Sequence, residues 1–191
     1  MTITRRLPMV AAAIALGALP LAAQQQAQQA APDAAKIAAM AGTRGALVAD
    51  LAEIESKYLK LLDAMKGKLD YRPGAGVRSA AEVFAHVAAG NYFVPTQFGV
   101  KPPAGVDMEA LSKETDPDRL AANLKASFEH VRAALASLPE SDLDKPTKLF
   151  GQDATIRRAQ ITVLTHMHEH LGQSIAYARA SGVVPPWSGG D

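Results

Sequence analysis

The 191-residue chain contains no cysteine, and this absence excludes several kinds of site. Disulfide bridges, thiol nucleophiles, thiolate metal sites, haem attached through cysteine and a lipoprotein anchor all require that residue. Any metal site in this chain must therefore be built from histidine, carboxylate or amide ligands.

Aromatic residues and excess charge are also scarce. Phe, Trp and Tyr make up 5% of the chain against 48% for all hydrophobic residues, so we expect helices packed through alanine and aliphatic side chains. The formal net charge is +1, which gives no reason to expect nucleic-acid binding. No segment alternates between apolar and polar residues over enough length to predict a strand.

The first 23 residues have the pattern of a secretory signal peptide. Arg5 and Arg6 precede an apolar segment over residues 9–19, and small residues follow before Gln24. The apolar run is shorter than the roughly 20 residues that a membrane-spanning helix needs, and an uncleaved anchor is the alternative. We predict a periplasmic or secreted protein that is free of the membrane once the signal is cleaved.

The rest of the chain reads as one domain. Residues 24–42 form a Gln/Ala-rich leader, residues 43–187 the folded domain and residues 188–191 a tail. Apolar residues recur at helical spacing in four segments, which are 43–66, 79–95, 117–137 and a segment from 153 or 155 to 181.

Local signals mark where these segments begin. Ser79-Ala80-Ala81-Glu82 fits a capping box, and Asp116-Pro117 fits a helix N-cap followed by a first-turn proline. We expect residues 97–113 to be a loop and residues 139–153 a polar connection, and connections of this length need not be structureless throughout. The sequence therefore predicts an all-α protein, a four-helix bundle.

Three of the five histidines fall within the last helical segment. At about 100° per residue, His166 and His170 lie about 40° apart on one face, so their imidazoles can share one metal ion. Gln173 and Tyr177 follow on the same face at the next two turns. His168 points to the other side, and we interpret it as a solvated residue.

A third ligand is available on the second helical segment, where His86 lies at the edge of the apolar arc. Together with His166 and His170 it would supply three neutral nitrogens and leave one or more coordination positions open for water or substrate. An open position is typical of a catalytic metal site. Imidazole ligands suit zinc, nickel, copper or iron, and we expect zinc first because of its availability and nickel second.

Four other residues are candidates for the surroundings of this site. We predict Glu169 as a base beside the metal, Gln173 as a group that orients a ligand, and Tyr177 and Asn91 as lining of the pocket. His130, on the third helical segment, is predicted to face solvent and to have no role.

These patterns together resemble the DinB/YfiT-like metalloenzyme family. The matching features are His86 in the second helix and the run His166-x-x-x-His170-x-x-Gln173 in the last. Residues 71–79 are similar to the family's Trp-Arg-Pro loop with Tyr in place of Trp, and residues 177–186 resemble its C-terminal ending. The resemblance covers about residues 45–187. It implies a metal held by three histidines, commonly nickel or zinc, often a homodimer, and in some members a thiol-dependent transferase or isomerase activity.

The leading hypothesis is an exported metal-dependent enzyme that acts on a small molecule. Hydrolysis suits an exported protein better than thiol transfer, and the sequence identifies neither a catalytic residue nor a substrate. Three alternatives stay open: a non-enzymatic metal-binding or stress-response bundle, a haem-binding bundle with axial histidines, and a structural bundle whose histidines are idle.

Overall fold

The computed structural model describes residues 42–188. Its elements, in chain order, are helices α1 (Gly42–Ala64), α2 (Ala80–Thr96), α3 (Met108–Ser112) and α4 (Pro117–Ser137), a 3-10 turn (Glu140–Asp142), strands β1 (Pro146–Leu149) and β2 (Gln152–Thr155), and helix α5 (Ile156–Ala180). The predicted signal peptide, most of the leader and residues 189–191 lie outside the described residues. Within that range, no helix has the combined length and apolarity needed to cross a bilayer.

The four long helices form the predicted bundle. Helices α1 and α2 each pack against both α4 and α5, so all four surround one core. At its centre the fully buried ring of Tyr58 lies 6.1 Å from that of Phe84 and 5.8 Å from that of Phe128, which joins α1, α2 and α4. The Tyr58 hydroxyl donates a hydrogen bond of 2.6 Å to the backbone carbonyl of Met167, and this contact ties α5 to the same core.

The predicted helix starts are confirmed. The Ser79 hydroxyl accepts from the backbone N–H of Glu82, and the Glu82 carboxylate accepts from the backbone N–H of Ser79, which completes the capping box of α2. Asp116 caps α4, with Pro117 in its first turn, and Thr155 caps α5. These side chains satisfy backbone N–H groups that the first turn of a helix cannot pair.

Helix α3 lies within residues 97–113, which the sequence predicts only as a loop. The Asp107 carboxylate accepts hydrogen bonds from the backbone N–H groups of Glu109 and Ala110 and so begins this helix. Five residues are too few to show a helical period, so the pattern missed it. Helix α3 packs against α2.

The expectation that the chain contains no strand is wrong. Strands β1 and β2 pair antiparallel, with Leu149 opposite Gln152. The turn residues Phe150 and Gly151 have φ values of 50° and 83°, the positive angles of a type I′ hairpin turn. Strands of four residues give little alternation, and Phe-Gly is not the usual Asn-Gly turn signal, so the sequence pattern did not predict this hairpin.

His130 is buried, at 9% exposure, and the prediction that it faces solvent is wrong. Its ring lies 5.0 Å from that of Tyr92 on α2. Helix α4 packs against both α1 and α2, so its buried arc is wider than the single apolar stripe that defined it in the sequence. His168 is exposed, as predicted.

Candidate metal centre

The structure brings together the three histidines that the sequence singled out. His86 projects from α2, and His166 and His170 project from successive turns of α5. Each offers one ring nitrogen, and these nitrogens all lie within 4.8 Å of one another. The ring centroids are 4.6 Å apart for His166 and His170, and 5.2 Å and 4.7 Å from His86 to each of them.

The nitrogen spacing fits a shared metal ion. The Nε2 atoms of His86 and His166 are 3.3 Å apart. Two imidazole nitrogens bound to one tetrahedral zinc, each at about 2.0–2.1 Å, lie about 3.3 Å apart. Three neutral nitrogens in this arrangement could therefore hold a divalent transition metal with little movement.

Gly90, which sequence reasoning overlooked, makes this approach of the two helices possible. A Cβ atom at this position would lie 2.6 Å from Cε1 of His166, well inside van der Waals contact. Gly90 follows His86 by one helical turn on α2, so the missing side chain leaves room for the His166 ring beside the His86 ring. A glycine inside a helix, four residues after a candidate ligand, is the signal that could have identified it, because glycine there is otherwise unfavourable.

A chain of hydrogen bonds fixes the orientation of His170. Its Nδ1 lies 2.8 Å from Oε1 of Gln173, and Nε2 of Gln173 donates to the Tyr177 hydroxyl at 3.0 Å. An amide oxygen only accepts, so Nδ1 of His170 carries the hydrogen and its Nε2 is left free as a ligand atom. The Tyr177 ring packs edge-on against Tyr71, 5.9 Å away, at the start of the loop before α2.

Electrostatics keep two of the candidate ligands neutral. The pKa of His86 falls from 6.5 to about 4, mainly through burial, then through the positive charge of Arg78 and the other two histidines. The pKa of His166 also falls to about 4, again mainly through burial and then through His170, while the nearby Glu169 carboxylate acts in the opposite direction. Neutral imidazole is the form that binds metal, so the side chains of His86 and His166 can bind a metal ion at neutral pH without first losing a proton.

The remaining predicted neighbours have different positions. Glu169 is exposed, and its carboxylate forms no hydrogen bond or ion pair with the residues that the structure describes. The sequence predicts Asn91 in the pocket, but the structure places its amide group against α4, where it donates to Ser127 Oγ at 3.0 Å. Asn91 follows His86 by five residues and therefore lies about 140° from it around the helix, so its side chain points away from the histidines.

A cleft of about 510 Å³ opens beside α2, and of the three histidines His86 is the one in its wall. The other lining residues come from the loop before α2, from the first turn of α2, and from the end of α3 with the segment after it; they are Arg72, Gly76, Val77, Arg78, Glu82, Ser112, Lys113 and Thr115. Helix α3, which the sequence did not predict, therefore supplies one side of the approach to the site.

Two solved structures and one family profile are similar to this chain. A DinB-like protein from Bacillus cereus ATCC 10987 superposes with a TM-score of 0.64 at 18% identity, over 73% of this chain and 93% of that one. A DinB-like protein from Bacillus subtilis gives a TM-score of 0.49 at 18% identity, over 71% and 92% of the two chains. The comparison with curated proteins returned no match. The sequence profile of the DinB superfamily matches residues 50–174, more than half of the chain. This range includes all three histidines and Gln173, and the protein belongs to the DinB superfamily.

Proposed function

We propose that this protein is an exported metalloenzyme in which His86, His166 and His170 hold one zinc or nickel ion. The observation that carries the proposal is the 3.3 Å separation of the His86 and His166 Nε2 atoms, with the third histidine oriented by Gln173. Three imidazoles leave coordination positions open, as in catalytic sites. The cleft that includes His86 in its wall supports access of a small molecule to the site from that side.

A metal ion in this site supplies a Lewis acid that polarises a substrate oxygen or sulfur. The chain's own residues prepare the site for it. Burial keeps His86 and His166 unprotonated, Gly90 allows the two helices to approach, and the Gln173 amide selects the tautomer of His170. These features support metal binding, and we propose a hydrolase or thiol-dependent transferase type of reaction at that metal, with hydrolysis the better match to the predicted export signal.

His166, which is partly exposed, and His168, which is exposed, lie on the same helix and provide a matched test of the ligand assignment. The full-length chain, produced without a histidine tag, should contain about one equivalent of zinc or nickel by elemental analysis. His166→Ala should lose that metal, whereas His168→Ala, two residues away on the exposed face of α5, should keep it. Stoichiometric metal in His166→Ala would contradict the assignment.

Enzymatic activity and export need separate measurements. A screen of hydrolase and thiol-transferase substrates should show turnover that disappears on chelation and in His166→Ala. Turnover that is independent of metal, or none with a fully loaded protein, would reduce the proposal to a metal-binding bundle. Mass analysis of the protein from the periplasm or medium should give a chain that begins near Gln24, and a full-length chain retained in the membrane would favour the anchor.

A further inference from the structure

The charges along the cleft wall are not balanced. Three of the lining residues are cationic, namely Arg72, Arg78 and Lys113, and Glu82 is the one acidic residue among those that line it. Arg72 forms an ion pair with Glu82 at 2.9 Å, and Lys113 forms one with Glu109 at 2.6 Å. Glu82 also accepts the backbone N–H of Ser79 in the capping box. The internal pairing therefore neutralises all of these charges except Arg78.

Arg78 forms no ion pair or hydrogen bond with any residue from 42 to 188. It is exposed at the mouth of the cleft, next to Ser79, the N-cap of α2.

The charge of Arg78 also reaches the histidines. Arg78 and His86 line the same cleft, so the guanidinium shares a wall with one of the candidate ligands. A cation in that position opposes the binding of a metal cation to the same nitrogens. An anion that occupies the cleft would remove this opposition and would be attracted by both positive charges.

We propose that the cleft binds a small molecule that carries a carboxylate, with the carboxylate on Arg78 and a second polar group directed to the three-histidine site. A guanidinium binds a planar carboxylate through two parallel hydrogen bonds, which makes this class the best match to one unpaired arginine. The hydroxyl groups of Ser112 and Thr115 lie on the same wall and offer neutral hydrogen-bond partners. The inference rests on the proposed metal function and names the substrate class of that site.

The test compares two probes that differ only in charge. Succinic monohydroxamate has a metal-chelating end and a carboxylate end, and its primary amide counterpart lacks the negative charge. Calorimetric titration of the zinc-loaded full-length protein should show binding of the carboxylate probe that is roughly 2- to 5-fold tighter, as expected for an exposed charge pair. The difference should shrink at 0.5 M salt, where the Debye length is only a few ångströms.

Substitutions assign the effect to one side chain. Arg78→Gln should bring the affinities of the two probes together, Arg78→Lys should retain part of the preference, and Arg158→Gln should leave it unchanged. Arg158 is an exposed arginine on α5 that does not line the cleft, so it is a matched control. Circular dichroism checks that each variant is folded, and zinc content checks that each is loaded.

The outcomes separate the inference from the proposed function. Equal binding of both probes to the wild-type protein, or a preference that survives Arg78→Gln, overturns the carboxylate assignment and leaves the metal site intact. A protein that holds no zinc, or that binds neither probe when loaded, overturns the open metal site and with it the inference.

Discussion

Replacement of Gly90 by alanine is the most direct test of the helix packing that forms the site. A Cβ at this position would lie 2.6 Å from Cε1 of His166, and 3.3 Å and 3.4 Å from its Nδ1 and Nε2 atoms. These atoms belong to the far end of a side chain, so the ring can move away without disturbing the backbone. The cost of Gly90→Ala should therefore fall on the position of His166 and not on the fold.

The expected result is a loss of metal affinity without a loss of stability. Movement of one ligand out of place should weaken zinc binding at least 10-fold, comparable to the loss of a supporting contact at a metal site. Alanine in the helix interior, in contrast, is favoured over glycine by about 0.5–1 kcal/mol. We expect the metal-free variant to be as stable as the wild type or more stable, with a Tm up to about 4 °C higher.

Gly172 provides the control for this substitution. It also lies inside a long helix, α5, close to the histidines, but a Cβ there would meet nothing within 4 Å. Gly172→Ala should raise the Tm by a similar amount and leave zinc affinity unchanged. Affinity is measured by competition with a chromophoric chelator, and stability by thermal unfolding in the presence of EDTA. Wild-type zinc affinity in Gly90→Ala would refute the reasoning, as would equal losses in the two variants.

Two further predictions concern acid sensitivity and the link between core and site. His86 and His166 have pKa values of about 4 in the folded protein against 6.5 when unfolded, so the unfolded chain takes up more protons as the pH falls from 6.5 to 4. The metal-free protein should lose about 2 kcal/mol of stability per imidazole in that window, after allowance for partial exposure, and its stability should not change above it. The free energy of unfolding, measured in urea at a series of pH values, should depend less steeply on pH in a His86→Gln/His166→Gln variant. Tyr58→Phe removes the hydrogen bond to the Met167 carbonyl and should cost about 1 kcal/mol in urea unfolding, and a variant as stable as the wild type would show that this bond contributes nothing.

The four long helices were predictable because each carries its own local signals. The capping box at Ser79, the Asp116-Pro117 start and the apolar spacing of α5 all act over a few residues, so they can be read without knowledge of the rest of the chain. Helix α3 and the hairpin turn at Phe150 were missed because elements of four or five residues have no period to detect.

The site was predictable only in part. The spacing of His166 and His170 is a local property, and it placed two of the three candidate ligands on one face of α5. Whether His86 faces them depends on how α2 packs against α5, and that contact is made possible by the small size of Gly90 and not by any pattern around His86. The burial of His130 depends on tertiary packing in the same way.

The chain order of the candidate ligands makes metal binding and folding interdependent. His86 and His166 are 80 residues apart, so the unfolded chain keeps only the local run His166, His168 and His170 together, whereas the folded bundle places His86 beside His166 and His170. A metal that binds the folded state preferentially stabilises it, by about 4 kcal/mol when its free concentration is 1,000 times the dissociation constant. Conversely, a substitution that destabilises the bundle will lower metal content even when it lies far from the site. Loss of metal therefore identifies a ligand only in a variant that is still folded, and this is why the comparisons of His166 with His168 and of Gly90 with Gly172 have to include unfolding measurements.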